Sequence, residues 1–376
     1  MFRLVLAVAL TIAVVGCQPG PTSGPSSGLP APSPSVAVSG GWTLVDLPDA
    51  IGAWFASGVI ADSDGFVVFG GVNDRAAIWT SRDGDSWTSG ALPGGFGFPS
   101  DGATSATAMV LLGAGSTSLC AHPFGESLWR REHGAQAWNA VAFDQPLFCA
   151  GGLADIAATR NAFAVVGMGT GDQPFAWQSD DGVTWRDAAA GLPVNAPPSL
   201  ITATDGGFLE VGRGERTDVR ASVDGKAWSP VEAPPVPPAF NGNAPGMSPA
   251  LLLASALGVL AIYESDAASL RSAWQRNADL SWSEIALEGF EPGDVISAGI
   301  TVDGKPFLFG SRGGAATLVT STDLATWLPV RIPEAGAILG LASFEDRTVL
   351  VTYTPDPAGG PDVTRVYETS DSLDGS

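Results

Sequence analysis

Six side chains stand out as able to do chemistry: Asp74, Arg75, Arg213, Glu215, Glu264 and Arg312. Guanidinium forks match carboxylates in shape and charge, so Arg75, Arg213 and Arg312 could converge on an anionic ligand. Glu215 and Glu264 are the carboxylates that would serve acid–base chemistry in a glycosidase, provided two such groups stand about 5 to 9 Å apart. The plainer alternative is scattered charge held in water. The whole chain carries a formal charge of −21, with 18 Lys and Arg against 39 Asp and Glu. Such a surface repels phosphate backbones and anionic lipid headgroups, so nucleic acid is excluded as a partner.

What would position these residues is a repeat. Four segments share Ser-x-Asp followed by Trp: Ser81, Asp83 and Trp87; Ser179, Asp181 and Trp185; Ser222, Asp224 and Trp228; Ser321, Asp323 and Trp327. Degenerate copies precede Trp138, as Glu132-His133-Gly134, and Trp282, as Asn277-Ala278-Asp279. In a tight turn the Asp carboxylate and Ser hydroxyl accept hydrogen bonds from backbone N–H groups, a Gly supplies positive φ, and the Trp packs beneath. Before each turn lie short alternating apolar runs, such as residues 58–61, 66–70 and 76–79, which read as strands. Each repeat thus supplies about four strands.

These segments resemble the Asp-box, or bacterial neuraminidase repeat, of sialidases and other β-propellers. The resemblance covers residues 41–376 and implies an all-β, seven-bladed β-propeller of four-stranded antiparallel blades. The Trp residues at 42, 87, 138, 185, 228, 282 and 327 count seven blades. Trp42 begins a lone fourth strand, so residues 41–47 are expected to join the C-terminal blade and close the ring, removing open edges. A six-bladed ring and an open solenoid are the alternatives. In the resembled families the box is structural and faces away from the ligand. The candidate residues fall on the other face, in loops between the second and third strands of a blade and in blade-to-blade connections. Asn73, Asp74 and Arg75 belong there to blade one, His122 and Glu126 to blade two, Asp172 to blade three, Arg213, Glu215 and Arg216 to blade four, Glu264 and Asp266 to blade five, and Arg312 to blade six.

The N-terminus carries an address. Arg3 precedes an apolar run over residues 4–15, too short to span a bilayer core, with the proportions of a signal peptide. Val14-Val15-Gly16-Cys17 resembles the bacterial lipobox, which implies cleavage after residue 16 and lipidation of Cys17. Residues 17–40 are rich in Gly, Pro and Ser and read as a flexible tether. The expectation is an exported chain anchored to the cell envelope, touching the membrane only through that lipid. Cys120 and Cys149 both fall in blade two and should pair outside the cytoplasm, a link worth roughly 3 to 4 kcal/mol from loop-closure entropy.

Metal chemistry is thin. Only His122 and His133 are available with two remaining cysteines, and Asp62-Ser63-Asp64-Gly65 lacks the glutamate that completes a calcium loop. No cofactor and no metal are expected. A sialidase would need an arginine triad and an activated Tyr, whereas the three tyrosines are Tyr263, Tyr353 and Tyr367. The favoured reading is a monomeric, non-catalytic binding or assembly module that takes an envelope protein or a glycan, with Trp54, Phe55, Trp129 or Phe240 as rim aromatics. The alternative is a glycoside hydrolase with its site in the same channel mouth. The seven-bladed Asp-box group also includes photosystem assembly factors and modules of xyloglucan hydrolases, so the resemblance specifies a scaffold rather than a reaction.

Overall fold

Strand after strand in this chain is a short apolar run ended by Gly, Asp or Ser, and strands of that kind bury both faces only when sheets stack on sheets. The computed structural model describes residues 36–37, 41–50, 54–73, 75–94, 97–115, 125–141, 151–169, 173–193, 198–212, 218–236, 240–241, 244–245, 247–265, 271–291, 293–355, 362–371 and 373. It contains seven four-stranded antiparallel blades arranged in a ring, and no helix among the described residues. Accordingly no helix there is long and apolar enough to cross a membrane.

The innermost strands are Trp54–Asp62, Phe98–Thr104, Gly151–Ala158, Pro198–Thr204, Met247–Ser255, Val295–Val302 and Ala337–Phe344. Each packs on the next, and the seventh returns to the first. The outermost strands are Thr88–Ala91, Asn139–Ala140, Arg186–Asp187, Ser229–Val231, Trp282–Ile285 and Trp327–Val330 for blades one to six. In blade seven the outer position beside Val363–Thr369 is held by Thr43–Val45, with Thr43 opposite Glu368 and Val45 opposite Val366. Trp42 is buried there and donates its indole N–H to the Arg331 carbonyl at 2.8 Å, while the Thr369 hydroxyl bonds the Gly41 carbonyl at 3.0 Å. Val36–Ala37, inside the segment whose composition reads as tether, adds a fifth strand beside Thr43–Val45. A small hairpin, Phe240–Asn241 with Ala244–Pro245, lies between blades four and five.

All seven innermost strands carry a bulge at one position, around Ser57, Ser100, Ala154, Ser199, Ala250, Ser297 and Leu339. A bulge bends the strand and raises its twist, which suits the narrow centre of a ring. Ser199 and Ser297 stabilise it by donating to the carbonyls of Val211 and Phe309 at 3.0 Å each. The second strand must approach closely here. A Cβ on Gly70 or Gly113 would sit 2.1 or 2.2 Å from the carbonyl oxygen of Phe55 or Phe98, so only glycine fits.

Seven apolar clusters lie one at each interface between blades. That between six and seven, for example, joins Val302, Phe307, Phe309 and Leu318 to Leu341, Leu350, Tyr367 and Trp42. The Ser-x-Asp turns connect the third and fourth strands. Asp83 Oδ1 accepts the N–H groups of Asp85 and Ser86 at 3.0 and 2.7 Å, Ser81 Oγ accepts that of Gly84 at 2.9 Å, and Trp87 donates to the Gly84 carbonyl at 2.6 Å. Asp181 and Asp323 repeat the pattern. Asp224 takes the Lys226 N–H at 3.0 Å. The N–H of Ser86 holds the Asp83 carboxyl below its ordinary range, and that of Thr326 does the same for Asp323.

Replacing Trp42 by Ala removes a buried ring and leaves the Arg331 carbonyl without its donor. The expected loss is about 3 to 5 kcal/mol of unfolding free energy, read from a shifted denaturant midpoint.

Candidate functional site

The turns between second and third strands share one face with the blade-to-blade connections, and on that face blade one opens a cleft of about 630 Å³. Strand alternation builds it. Arg75, Ala77 and Trp79 project from one side of the third strand, Arg75–Ser81, and Ser89 and Ala91 lie opposite Trp79 and Ala77 on the outer strand. Asn73, at φ 48°, turns the chain into that strand. Asp49 closes the far wall and accepts the Ser89 hydroxyl at 2.5 Å, while Trp79 forms the floor and donates to the Pro48 carbonyl at 2.8 Å. The Arg75 side chain is exposed, and no hydrogen bond or ion pair joins its guanidinium to a described residue.

Glu264 and Arg312 are brought into one network, by residues that sequence reasoning missed. Arg271 binds Glu264 Oε1 at 2.7 Å and donates to the Asp294 carbonyl at 2.7 Å, with its guanidinium 5.9 Å from the centre of the Phe290 ring. Arg312 grips the Asp294 carboxylate at 2.7 Å and the Gly289 carbonyl at 2.7 Å. Hydrogen bonding to Arg312 holds Asp294 below its ordinary range despite burial. Glu264, Arg271, Asp294 and Arg312 are thus spent on one another. Asp74, Arg213, Glu215, His122, Asp172, Arg216 and Asp266 lie outside the described residues, as do Cys17, Cys120, Cys149 and the signal segment, so no convergence of three arginines is drawn. Trp129 is buried rather than on the rim, bonded to the Pro93 carbonyl at 2.8 Å. Trp54 stacks edge-on against Trp79, and Phe55, 37% exposed, against Phe98.

Two further carboxyls meet on the innermost strands. Asp101 and Asp155 follow the bulge in blades two and three and hydrogen-bond each other. Asp101 also takes the Gly102 N–H at 2.7 Å, and Asp155 those of Ile156 and of Ile201 in blade four at 2.8 and 2.9 Å. Burial pushes Asp101 up to about 6, and burial together with the Asp101 charge raises Asp155 well above the carboxylate range. Two carboxyls so placed resist ionising together.

In blade two the degenerate turn reverses its polarity. Arg131 pairs with Met109 as Ser81 pairs with Phe66, so an arginine and a histidine stand where blades one, three, four and six carry Ser and Asp. They reach across to blade one, where the Asp62 side chain, 0% exposed, accepts Arg131 at 2.8 Å and His133 Nδ1 at 2.9 Å. His133 Nε2 faces the Ser105 carbonyl at 2.8 Å, and Asp64 accepts the Gly134 N–H at 2.6 Å. Asp62, Asp64 and His133 have the donor set of a metal site. The Arg131 guanidinium already occupies Asp62 Oδ2, which favours an ion pair over a cation there.

Blade four departs from the others in a second way. Across its second and third strands Glu210 pairs with Arg220, where the equivalent pairs are Val68 with Trp79, Leu111 with Trp129, Val165 with Trp177, Ala261 with Trp274, Leu308 with Val319 and Leu350 with Tyr367. Arg220 does the work of the tryptophan, donating to the Gly191 carbonyl of the preceding connection as Trp79 does to Pro48. Its charge goes to Asp218 at 2.7 Å. Glu210 is left 1% exposed with Oε1 unpartnered, and burial, then the Asp218 charge, push its carboxyl up to about 9.

No family model and no curated protein matches the chain. Solved structures do. The GH74 xyloglucanase of Xanthomonas campestris is 17% identical, with a TM-score of 0.53 over 83% of this chain and 52% of that one. The β-propeller domain of the Trilobed protease from Pyrococcus furiosus, described as having an open velcro topology, is 9% identical at 0.53, covering 86% and 99%. The WD40 propeller domain of Doa1 is 12% identical at 0.50, covering 87% and 97%. What is shared is the fold. This chain spans about half the length of the xyloglucanase, and the identities carry no activity across.

Replacing Asp62 by Ala strands a buried guanidinium and should cost about 3 to 5 kcal/mol in a urea titration. Glu210 gives a pH signature. Its folded-state pKa is raised, so its contribution is fully present below about 4.5 and is lost as pH rises through about 9. The Asp83 and Asp323 carboxyls, held low, act the other way and lose their contribution as pH falls below the usual carboxylate range. Glu210→Gln should therefore gain stability over the natural chain by an amount that grows between pH 5 and pH 9, read from denaturant midpoints at several pH values.

Proposed function

We propose that this chain is a non-catalytic binding or assembly module, exported and held to the cell envelope through a lipid on Cys17, which takes a partner on the face that carries the blade-one cleft. One observation supports this above the others: the cleft combines an apolar floor, Trp79 with Ala77, with the Arg75 guanidinium, which no described residue engages. Cavities of a few hundred Å³ with few convergent polar groups are the usual form of a recognition site. Among the described residues Asp49 is the one carboxylate lining it, and it is engaged by Ser89.

Hydrolysis of glycosides needs two carboxyl groups separated by roughly 5 to 9.5 Å, one of them free to act as base or nucleophile. Glu264 is tied to Arg271, and Asp101 and Asp155 are in direct contact. Those arrangements fit structural roles better than a catalytic pair. The lipobox resemblance at Val14-Val15-Gly16-Cys17 and the Gly-, Pro- and Ser-rich stretch after it support the cellular address.

Arg75→Glu should weaken capture of the envelope partner by about tenfold or more in a cross-linking pull-down with the full chain, without moving its unfolding midpoint. Turnover of any member of a fluorogenic glycoside panel, abolished by Glu215→Gln or Glu264→Gln, would instead establish a hydrolase.

A further inference from the structure

The outermost strand of each blade exposes one row of backbone N–H and C=O groups, which is an invitation to pair with another chain unless something prevents it. Comparing the position opposite the central residue of the third strand shows how this fold manages each edge. Blades four and six place Pro230 and Pro329 there, opposite Arg220 and Val319. Blades three and five place Asp187 and Glu284, opposite Trp177 and Trp274. Blade two has Ala140, in an outer strand of two residues. In blade seven the position is Leu44, and Val36 pairs with it, so that edge is already covered by a further strand.

Blade one differs from all of these. Its outer strand Thr88–Ala91 has four residues, with no proline and no charge, and Ser89 stands opposite Trp79. Thr88, Gly90 and Ala91 are exposed. The Leu92 N–H points inward to the Ala76 carbonyl at 3.5 Å, so by alternation Gly90 also faces inward and the amides of Ser89 and Ala91 face out. The prolines of blades four and six occupy the equivalent outward position, where no ladder bond is lost. This open edge and Arg75, which no described residue pairs, border the same cleft.

We propose that blade one receives an extended peptide segment of a partner protein, which adds beside Thr88–Ala91 as a fifth strand and sets a carboxylate on Arg75. The inference rests on the binding-face reading above and narrows it to one partner chemistry. The molecule supplies its own precedent, since Val36–Ala37 adds to the outer strand of blade seven in the same manner. Main-chain bonds to the edge would provide affinity independent of sequence, and Arg75 would select an acidic side chain or a free C-terminus.

The test uses the full chain and a displayed random peptide library with free C-termini, followed by anisotropy titrations of the selected peptides. Selected peptides should carry β-forming residues and a carboxylate. They should weaken about tenfold or more on Arg75→Ala, and by a similar factor when the carboxylate is converted to an amide. Ser89→Pro copies a residue the fold already accepts in two blades and should abolish binding, whereas Ser89→Ala, which keeps the amide, should retain it. Equal binding to Ser89→Pro and the natural chain overturns the proposal, as does equal loss with Ser89→Ala, or the absence of any peptide enriched over the Arg75→Ala chain. A dimer of the natural chain dissolved by Ser89→Pro overturns it in favour of a second copy as occupant. A partner captured through Arg75 yet indifferent to Ser89→Pro keeps the cleft as a binding site and removes strand addition.

Discussion

Each blade buries both of its faces against neighbouring blades, and that constraint governs everything polar inside the ring. A charge placed on a sheet face is placed in an interface, where leaving it alone costs several kcal/mol. The molecule answers with partners drawn from the next blade or connection. Asp62 is paired with Arg131 and hydrogen-bonded to His133 across the first interface, Arg220 finds Gly191 in the link before its own blade, and Arg312 finds Asp294. Where no partner is supplied, as at Glu210 Oε1, the group keeps its proton instead.

The tryptophan and Ser-x-Asp spacing made the blade count legible, because the turn chemistry recurs in residue type as well as in position. The outer strand at Thr43–Val45 was legible for the same reason: Trp42 has the sequence surroundings of a box tryptophan without the strands that should precede it. The charge networks were much less so. Arg271 stands seven residues from Glu264 across the same hairpin, and Asp294 eighteen residues before Arg312, but only the strand register shows that they meet those partners. Glu210 and Arg220 become conspicuous once the seven second strands are laid side by side, since the other six carry apolar residues there. Degeneracy in the second turn was visible, but its meaning was not. Its Arg and His are donors aimed at another blade, and turn sequences report bonds made locally.

Charge in this chain is therefore mostly structural, and recognition falls to what the interfaces leave over. Around blade one a guanidinium that no described residue pairs, an apolar floor and an unblocked strand edge occur together, whereas the equivalent edges are shielded by proline, charge, brevity or an added strand. In a highly acidic chain a local cation of this kind would discriminate by position rather than by overall attraction, because the wider field disfavours the carboxylates proposed for the cleft.

The bulge that recurs in all seven innermost strands has a consequence for how such a chain tolerates change. Its central residue is Ser in four blades, Ala in two and Leu in one, so the bend is encoded by the count of residues and scarcely by their identity. Substitutions there are absorbed readily. A single inserted or deleted codon is not, because it would throw one blade out of phase with both neighbours by a full side-chain alternation.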